Sequence, residues 1–271
     1  MGGAVFLVTV PLFSIIGAFL LEKEASSTLL FVLLFATANG FIGLLDDSTK
    51  FKKHKNQGLL PWQKLILQAI FTGAFFYLLL SFGDKDYGVL IPYVQLSLPW
   101  GFPLLFVFFI AALGILNSAN LSDGVDGLTA SSSFVIGAFF ILEGALFSEG
   151  ALLSLGLSLC GTMLGFLLFN RHPAKIFMGD TGSLFLGALT VGAAFLTENP
   201  AVLPIYTFLF LLEGASVILQ VLIFKRTGKR LFRMAPLHHH LEKCGWSENK
   251  IVFAFSFITL IACLFAHLAL L

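Results

Sequence analysis

The chain has 271 residues, 58% hydrophobic and 11% charged, with a mean hydropathy of +0.94, values that set aside a soluble domain in favour of a polytopic membrane protein. A net charge of +1 gives no electrostatic basis for nucleic acid as a partner. The three cysteines, Cys160, Cys244 and Cys263, are too scattered for a metal motif or a disulfide framework.

At about 20 apolar residues per crossing, nine membrane helices are predicted, over roughly 3–21, 29–45, 62–82, 101–117, 130–147, 151–169, 183–197, 201–224 and 251–271. The expected fold is therefore all-α, one integral membrane bundle spanning residues 1–271. The first segment has neither a basic n-region nor a small-residue cleavage site, so it reads as a retained span.

Alternating the spans puts Lys50, Lys52, Lys53, Lys55, Lys64, Arg171, Lys175 and the basic residues from Lys225 to Lys250 on one side, which the positive-inside rule makes cytoplasmic. The other side receives Lys23 and Lys85, with Glu22, Glu24, Asp84, Asp86, Glu149 and Glu198 in ordinary loops. Asp46, Asp47, Asp123, Asp126 and Asp180 all fall at cytoplasmic helix ends, the last three beside Gly. Five acids near hydrocarbon point to a shared purpose.

In chain order, Asp46-Asp47 closes the second span. Adjacent carboxylates repel, so either a divalent cation or Lys50 compensates them, or water solvates a helix end with Lys50 as an i,i+4 partner. The fourth span ends in Asn117-Ser118-Ala119-Asn120-Leu121-Ser122-Asp123-Gly124-Val125-Asp126-Gly127, where steps of three stack Asn117, Asn120 and Asp123 on one face. Such amides and carboxylates read ribose hydroxyls or a pyrimidine N–H, or else form a polar cap. Between the sixth and seventh spans, the Gly179-Asp180-Thr181-Gly182 turn lets backbone amides and a metal-bound phosphate approach one carboxylate, against the plainer reading of a capped loop. Glu213 and Gln220 share a face of the eighth span; Glu213 reads as structural and Gln220 is open. The loop from Arg226 to His240 carries cations beside His238, His239 and His240, which suit anions better than one shared metal.

Carboxylates for Mg²⁺, amides for a nucleoside and cations for phosphates, gathered at one membrane face, describe phosphoryl transfer with a lipid substrate. A transporter, the rival class, would place its acids near the bilayer midplane and show inverted repeats.

Four stretches carry a resemblance: Gly43-Leu44-Leu45-Asp46-Asp47, Asn120 to Leu128, Phe177-Met178-Gly179-Asp180-Thr181-Gly182-Ser183 and Arg233-Met234-Ala235-Pro236-Leu237-His238-His239-His240. The chain resembles the polyprenyl-phosphate N-acetylhexosamine-1-phosphate transferases, and the last stretch points to their muramoyl-pentapeptide branch. The resemblance implies transfer of phospho-N-acetylmuramoyl-pentapeptide from its UDP carrier to undecaprenyl phosphate, giving lipid I and UMP with Mg²⁺, at the cytoplasmic face of the bacterial inner membrane. It implies that Asp180 binds the metal and that Asp46 and Asp47 are the catalytic pair. Asn170, Phe177, Asp123 and Asp126 are implied to line the nucleoside pocket, and His238, His239 and His240 to lie near the donor phosphates or sugar. Lys50, Asn117, Asn120 and Gln220 complete the expected substrate-binding set. A sister enzyme using UDP-N-acetylglucosamine is the alternative; it would keep the aspartates without needing the Met234–His240 pattern. The family is also expected to have ten spans and a dimeric state, so a first span and a nucleotide-facing Lys are expected upstream of Met1-Gly2-Gly3.

Overall fold

A computed structural model describes residues 2–22, 25–53, 58–84, 89–94, 96–99, 101–197 and 199–271, with only the backbone of residues 52 and 53. Lys23, Glu24, Lys55, Lys85, Asp86 and Glu198, assigned to sides above, lie outside the described residues, as do the side chains of Lys52 and Lys53. A short 3-10 turn leads into α1 (Phe6–Glu22), followed by α2 (Ser27–Lys53), α3 (Pro61–Phe82), α4 (Phe102–Ser122), α5 (Leu128–Leu146) and α6 (Gly150–Asn170). Then come α7 (Gly179–Ala193), α8 (Leu203–Tyr206), α9 (Phe208–Thr227), α10 (Leu237–Lys243) and α11 (Glu248–Leu270). Among the described residues, nine helices are long and apolar enough to cross a membrane, all but α8 and α10, as the hydropathy predicts.

Several elements differ from the expectation, among them α4, which runs on to Ser122, and α7, which starts at Gly179. The second helix does not stop at the acidic pair but runs on to Lys53, because Lys50 pairs with Asp46 one turn away. The expected span over 201–224 is broken at Thr207, where α8 gives way to α9; Pro200 and Pro204 lie in the first turns of the short helices before it, where proline favours helix starts. The loop after α3 contains a small antiparallel hairpin, β1 (Val89–Ile91) and β2 (Leu96–Leu98), with Leu90 opposite Ser97. Strands this short carry no period-two signal; this one is held by Asn199, which donates to the Leu90 carbonyl at 2.6 Å and accepts its amide at 3.3 Å.

α7 is the central post. It packs against α2 on one side and α4 on the other, and 89% of its span is buried, against 22% for α1. Where α7 tightens into a final 3-10 turn, Phe195 meets the ring edges of Phe75, Phe76 and Phe108 at centroid separations of 5.5–5.8 Å. Outer helices turn Val8, Leu20, Phe102, Leu168 and Phe253 outward, the apolar exterior of a multi-pass membrane protein.

At the bundle end opposite the site, two acids expected in ordinary loops cap helices. Glu22 accepts the amide of Gly150 at the start of α6 at 2.8 Å. Asp84 accepts the Ser27 hydroxyl at 2.6 Å and the Thr28 amide at 3.1 Å at the start of α2. Burial alone would raise the Asp84 carboxyl, but these hydrogen bonds outweigh it and hold it below the usual range.

The approach of α2 to α7 depends on Gly43: a Cβ there would lie 2.2 Å from the backbone oxygen of Asp180. Because the obstacle is backbone, little can give way. Gly43→Ala is expected to destabilise the detergent-purified protein by about 1–3 kcal/mol, read as a lower melting temperature. Gly73→Ala, where the nearest atom is a Phe109 ring carbon at 3.9 Å, is the control. Equal melting of the two variants would refute the close helix contact.

Candidate active site

The site is built at the N-terminus of α7. Gly179, with φ +66°, turns the chain into the helix, so Asp180 sits in the first helical turn rather than in an open turn. The first amides of a helix lack internal partners, and Asp47 supplies them from α2. Its carboxylate accepts the amide of Asp180 at 3.3 Å, the amide of Thr181 at 3.1 Å and the Thr181 hydroxyl at 2.7 Å. Asp47 is thus a cap delivered from another helix, and a cap of this kind is worth about 1 kcal/mol.

Asp180 projects into a cluster of charge. Its Oδ2 lies 2.5 Å from Lys64 Nζ and 3.2 Å from Lys50 Nζ, while Oδ1 accepts from the Asn120 amide at 3.1 Å. Asn120 also donates to the Ser183 hydroxyl at 2.8 Å, which fixes its orientation. Asp46, only 1% exposed, accepts the Leu59 amide at 2.7 Å through Oδ1 and pairs with Lys50 at 2.6 Å through Oδ2. Carboxylate oxygens of Asp46, Asp47 and Asp180 all lie within 4.8 Å of one another. Three carboxylates against two ammonium groups leave one negative charge in excess (3 − 2 = 1). Hard oxygen donors with surplus negative charge suit Mg²⁺. Asp180 is the better placed to hold it, since Asp47 is occupied by α7 and Asp46 by Lys50 and the Leu59 amide.

Other expected residues divide between this cluster and its supports. Asn117 does not stack with Asn120 towards Asp180; its amide donates to Gln68 at 2.9 Å and to the Leu113 carbonyl at 2.8 Å. Asn170, nearly buried, donates to the Ile176 carbonyl at 2.9 Å and clasps the loop ahead of α7. Phe177 leaves its ring exposed and offers its carbonyl to the Gly2 amide at 2.8 Å. Asp126 accepts the Ala174 amide at 2.8 Å, beside His172. Asp123, just past α4, is pushed well above the usual carboxylate range by burial and then by the negative charge of Asp180, Asp47 and Asp126.

The histidine run is divided among different partners. Glu213, from within α9, accepts the amides of Leu237 at 2.7 Å and His238 at 3.2 Å and so caps α10. His238 is fully buried, with Nδ1 3.3 Å from Glu213 and Nε2 against Gly124. His239 pairs with Glu242 at 2.5 Å, and His240 accepts the Arg233 amide at 3.1 Å. Gln220 accepts the amides of Leu231 and Phe232 at 3.0 and 2.9 Å and donates to the Phe232 carbonyl at 3.2 Å, so its whole amide fastens this loop to α9.

Lys64 was not singled out as a site residue from sequence, yet it makes the shortest contact to Asp180. Its only sequence signal is a lone Lys one turn after Pro61 in an otherwise apolar span.

Among the described residues, nine apolar helices that bring a carboxylate–lysine cluster together at one end of the bundle define an integral membrane protein with a compact charged site. The family model for glycosyl transferase family 4 matches residues 29–198. The chain is 40% identical to a phospho-N-acetylmuramoyl-pentapeptide-transferase of Carboxydothermus hydrogenoformans, covering 96% of this chain and 81% of that protein. It is 40% identical to the protein of that name from Clostridium botulinum strain Eklund 17B, over 100% and 82%, and 38% identical to that from Clostridium acetobutylicum, over 100% and 84%. The chain belongs to glycosyl transferase family 4.

Because the Asp123 pKa is raised on folding, the native state holds its proton to higher pH than the unfolded chain. Its destabilisation is therefore absent below the unfolded value of about 4 and grows as pH rises through the folded value. Asp123→Asn is expected to raise the melting temperature at neutral pH in chelator and to leave it unchanged near pH 4. A shift of equal size at both pH values would contradict this origin.

Proposed function

We propose that this protein transfers phospho-N-acetylmuramoyl-pentapeptide from UDP-N-acetylmuramoyl-pentapeptide to undecaprenyl phosphate, releasing UMP and forming lipid I. The observation that carries this reading is the Asp180–Lys64–Lys50–Asp46 cluster at the start of α7. The names of its relatives supply the donor class. The basic residues of this bundle end support a reading in which it faces the cytoplasm.

With a divalent ion bound the cluster would carry a net positive charge, and Lys64 and Lys50 then help to attract the donor diphosphate. Asp180 would hold Mg²⁺, with Asn120 fixing its carboxylate through Oδ1. When bound, the ion neutralises charge developing on the departing UMP. Asp46, committed to the Leu59 amide and to Lys50, is a positioning residue that sets the ammonium group where an acceptor phosphate needs it. The acceptor, with a second pKa of about 6, is already largely dianionic at neutral pH. The site therefore has more need of cations to bring two anions together than of a base. Asp123 and Asp126 face the nucleoside, and the Arg233–Trp246 loop faces the sugar and its peptide arm.

In detergent, with labelled donor and undecaprenyl phosphate, UMP release is expected to require Mg²⁺. Asp180→Asn should abolish it while the protein stays folded, because Asn keeps the shape and loses the charge. Wild-type turnover by Asp180→Asn, with unchanged Mg²⁺ dependence, would remove Asp180 from this role. Lys64→Met is expected to lower kcat/KM roughly ten- to hundred-fold, the loss of one charge-assisted contact.

A further inference from the structure

A second group of ligating side chains stands apart from the Asp46–Asp180 cluster. His172, just past α6, places Nδ1 3.3 Å from Asp126 Oδ2 and also 3.3 Å from Glu248 Oε2, in the first turn of α11. The three ligand atoms lie within 4.8 Å of one another. One imidazole nitrogen carries at most one proton, so it cannot donate a full hydrogen bond to both carboxylates. A cation shared by all three atoms satisfies every one of them.

The two spacings at His172 Nδ1 point to the kind of cation. Bonds of about 2.0–2.1 Å at tetrahedral angles separate neighbouring ligand atoms by about 3.3–3.4 Å, the separation seen on both sides of Nδ1. Octahedral Mg²⁺ with bonds of similar length would require about 2.9–3.0 Å and favours oxygen over imidazole. Each of the two carboxylate oxygens is also held in place by a backbone amide. Asp126 Oδ2 accepts the Ala174 amide at 2.8 Å, and Glu248 Oε2 accepts the Asp126 amide at 3.2 Å. His172 is 42% exposed and Glu248 29%, so an ion reaches them from solvent and water completes the coordination.

We propose that His172, Asp126 and Glu248 form a site for a divalent transition-metal ion of the zinc class, joining the loop after α4, the loop after α6 and the start of α11. An ion bound there removes Asp126 from the donor nucleoside, so zinc inhibits transfer; this inhibitory half rests on the function proposed above. Binding itself does not depend on that reading.

The test is zinc competition against a chromogenic chelator, with the full chain purified in detergent and Mg²⁺ in excess. Wild type should hold zinc, and His172→Ala and Glu248→Gln should each weaken it at least about tenfold. His172→Ala should also release UMP as wild type does without zinc, and lose its inhibition by zinc. Unchanged zinc affinity in both variants would overturn the site. So would loss of zinc only on changing His240 and Cys244, whose ring nitrogen and sulfur lie 3.7 Å apart. Zinc released by both variants from a chain that turns over no donor would sustain the metal site and sink the transferase reading.

Discussion

The exposed amides at the start of α7 require an acceptor, and Asp47 of α2 provides it. That requirement sets the rest of the site. It fixes the rotation of α2 against α7, which Gly43 permits by leaving no Cβ in the way. With that rotation set, Asp46 turns inward towards Lys50 and the Leu59 amide, and Asp180 points at Lys64 and Asn120. Two adjacent aspartates therefore do different work: one secures a helix and the other tunes a charge cluster.

The same device recurs through the bundle. Asp84 holds the start of α2, Glu22 the start of α6 and Glu213 the start of α10, each from a distant part of the chain. In a medium without water, an unpaired amide costs several kcal/mol, so a carboxylate that meets two of them is a strong tie. Such ties give the protein a rigid frame at both ends while leaving Asp180 and its lysines partly open to ligand.

Hydropathy alone located the nine spans, because about 20 apolar residues in a row admit few other structures. The acidic motifs were equally legible, since carboxylates beside Gly in an apolar chain are costly to keep. The reach of side chains was not. Asn117, Asn170 and Gln220 have the chemistry of ligand readers, yet their amides meet Gln68 and the backbone. Lys64 had no motif around it; only the packing of α3 beside α2 brings it to Asp180. Glu22 and Asp84 looked like surface charge because their partners, Gly150 and Thr28, are set by helix placement rather than by local sequence. The Val89–Leu98 hairpin is too short to announce itself.

The burial of α7 bears on how the protein is made. A helix surrounded by protein has no need of a lipid-facing surface, and α7 uses that freedom to carry Asp180, Thr181, Ser183 and Thr190 along with several glycines. Its mean hydropathy of 1.3 is the lowest of the nine candidate spans, against 2.5 for the first. On the translocon scale a single Asp costs about 2.5–3.5 kcal/mol at mid-helix and less near an end. The helix that bears the key carboxylate is thus the weakest at entering the bilayer unaided. Its packing against α2 and α4, both earlier in the chain, supplies the surroundings that lipid would not give its polar side chains. Biogenesis and chemistry thereby meet in one helix.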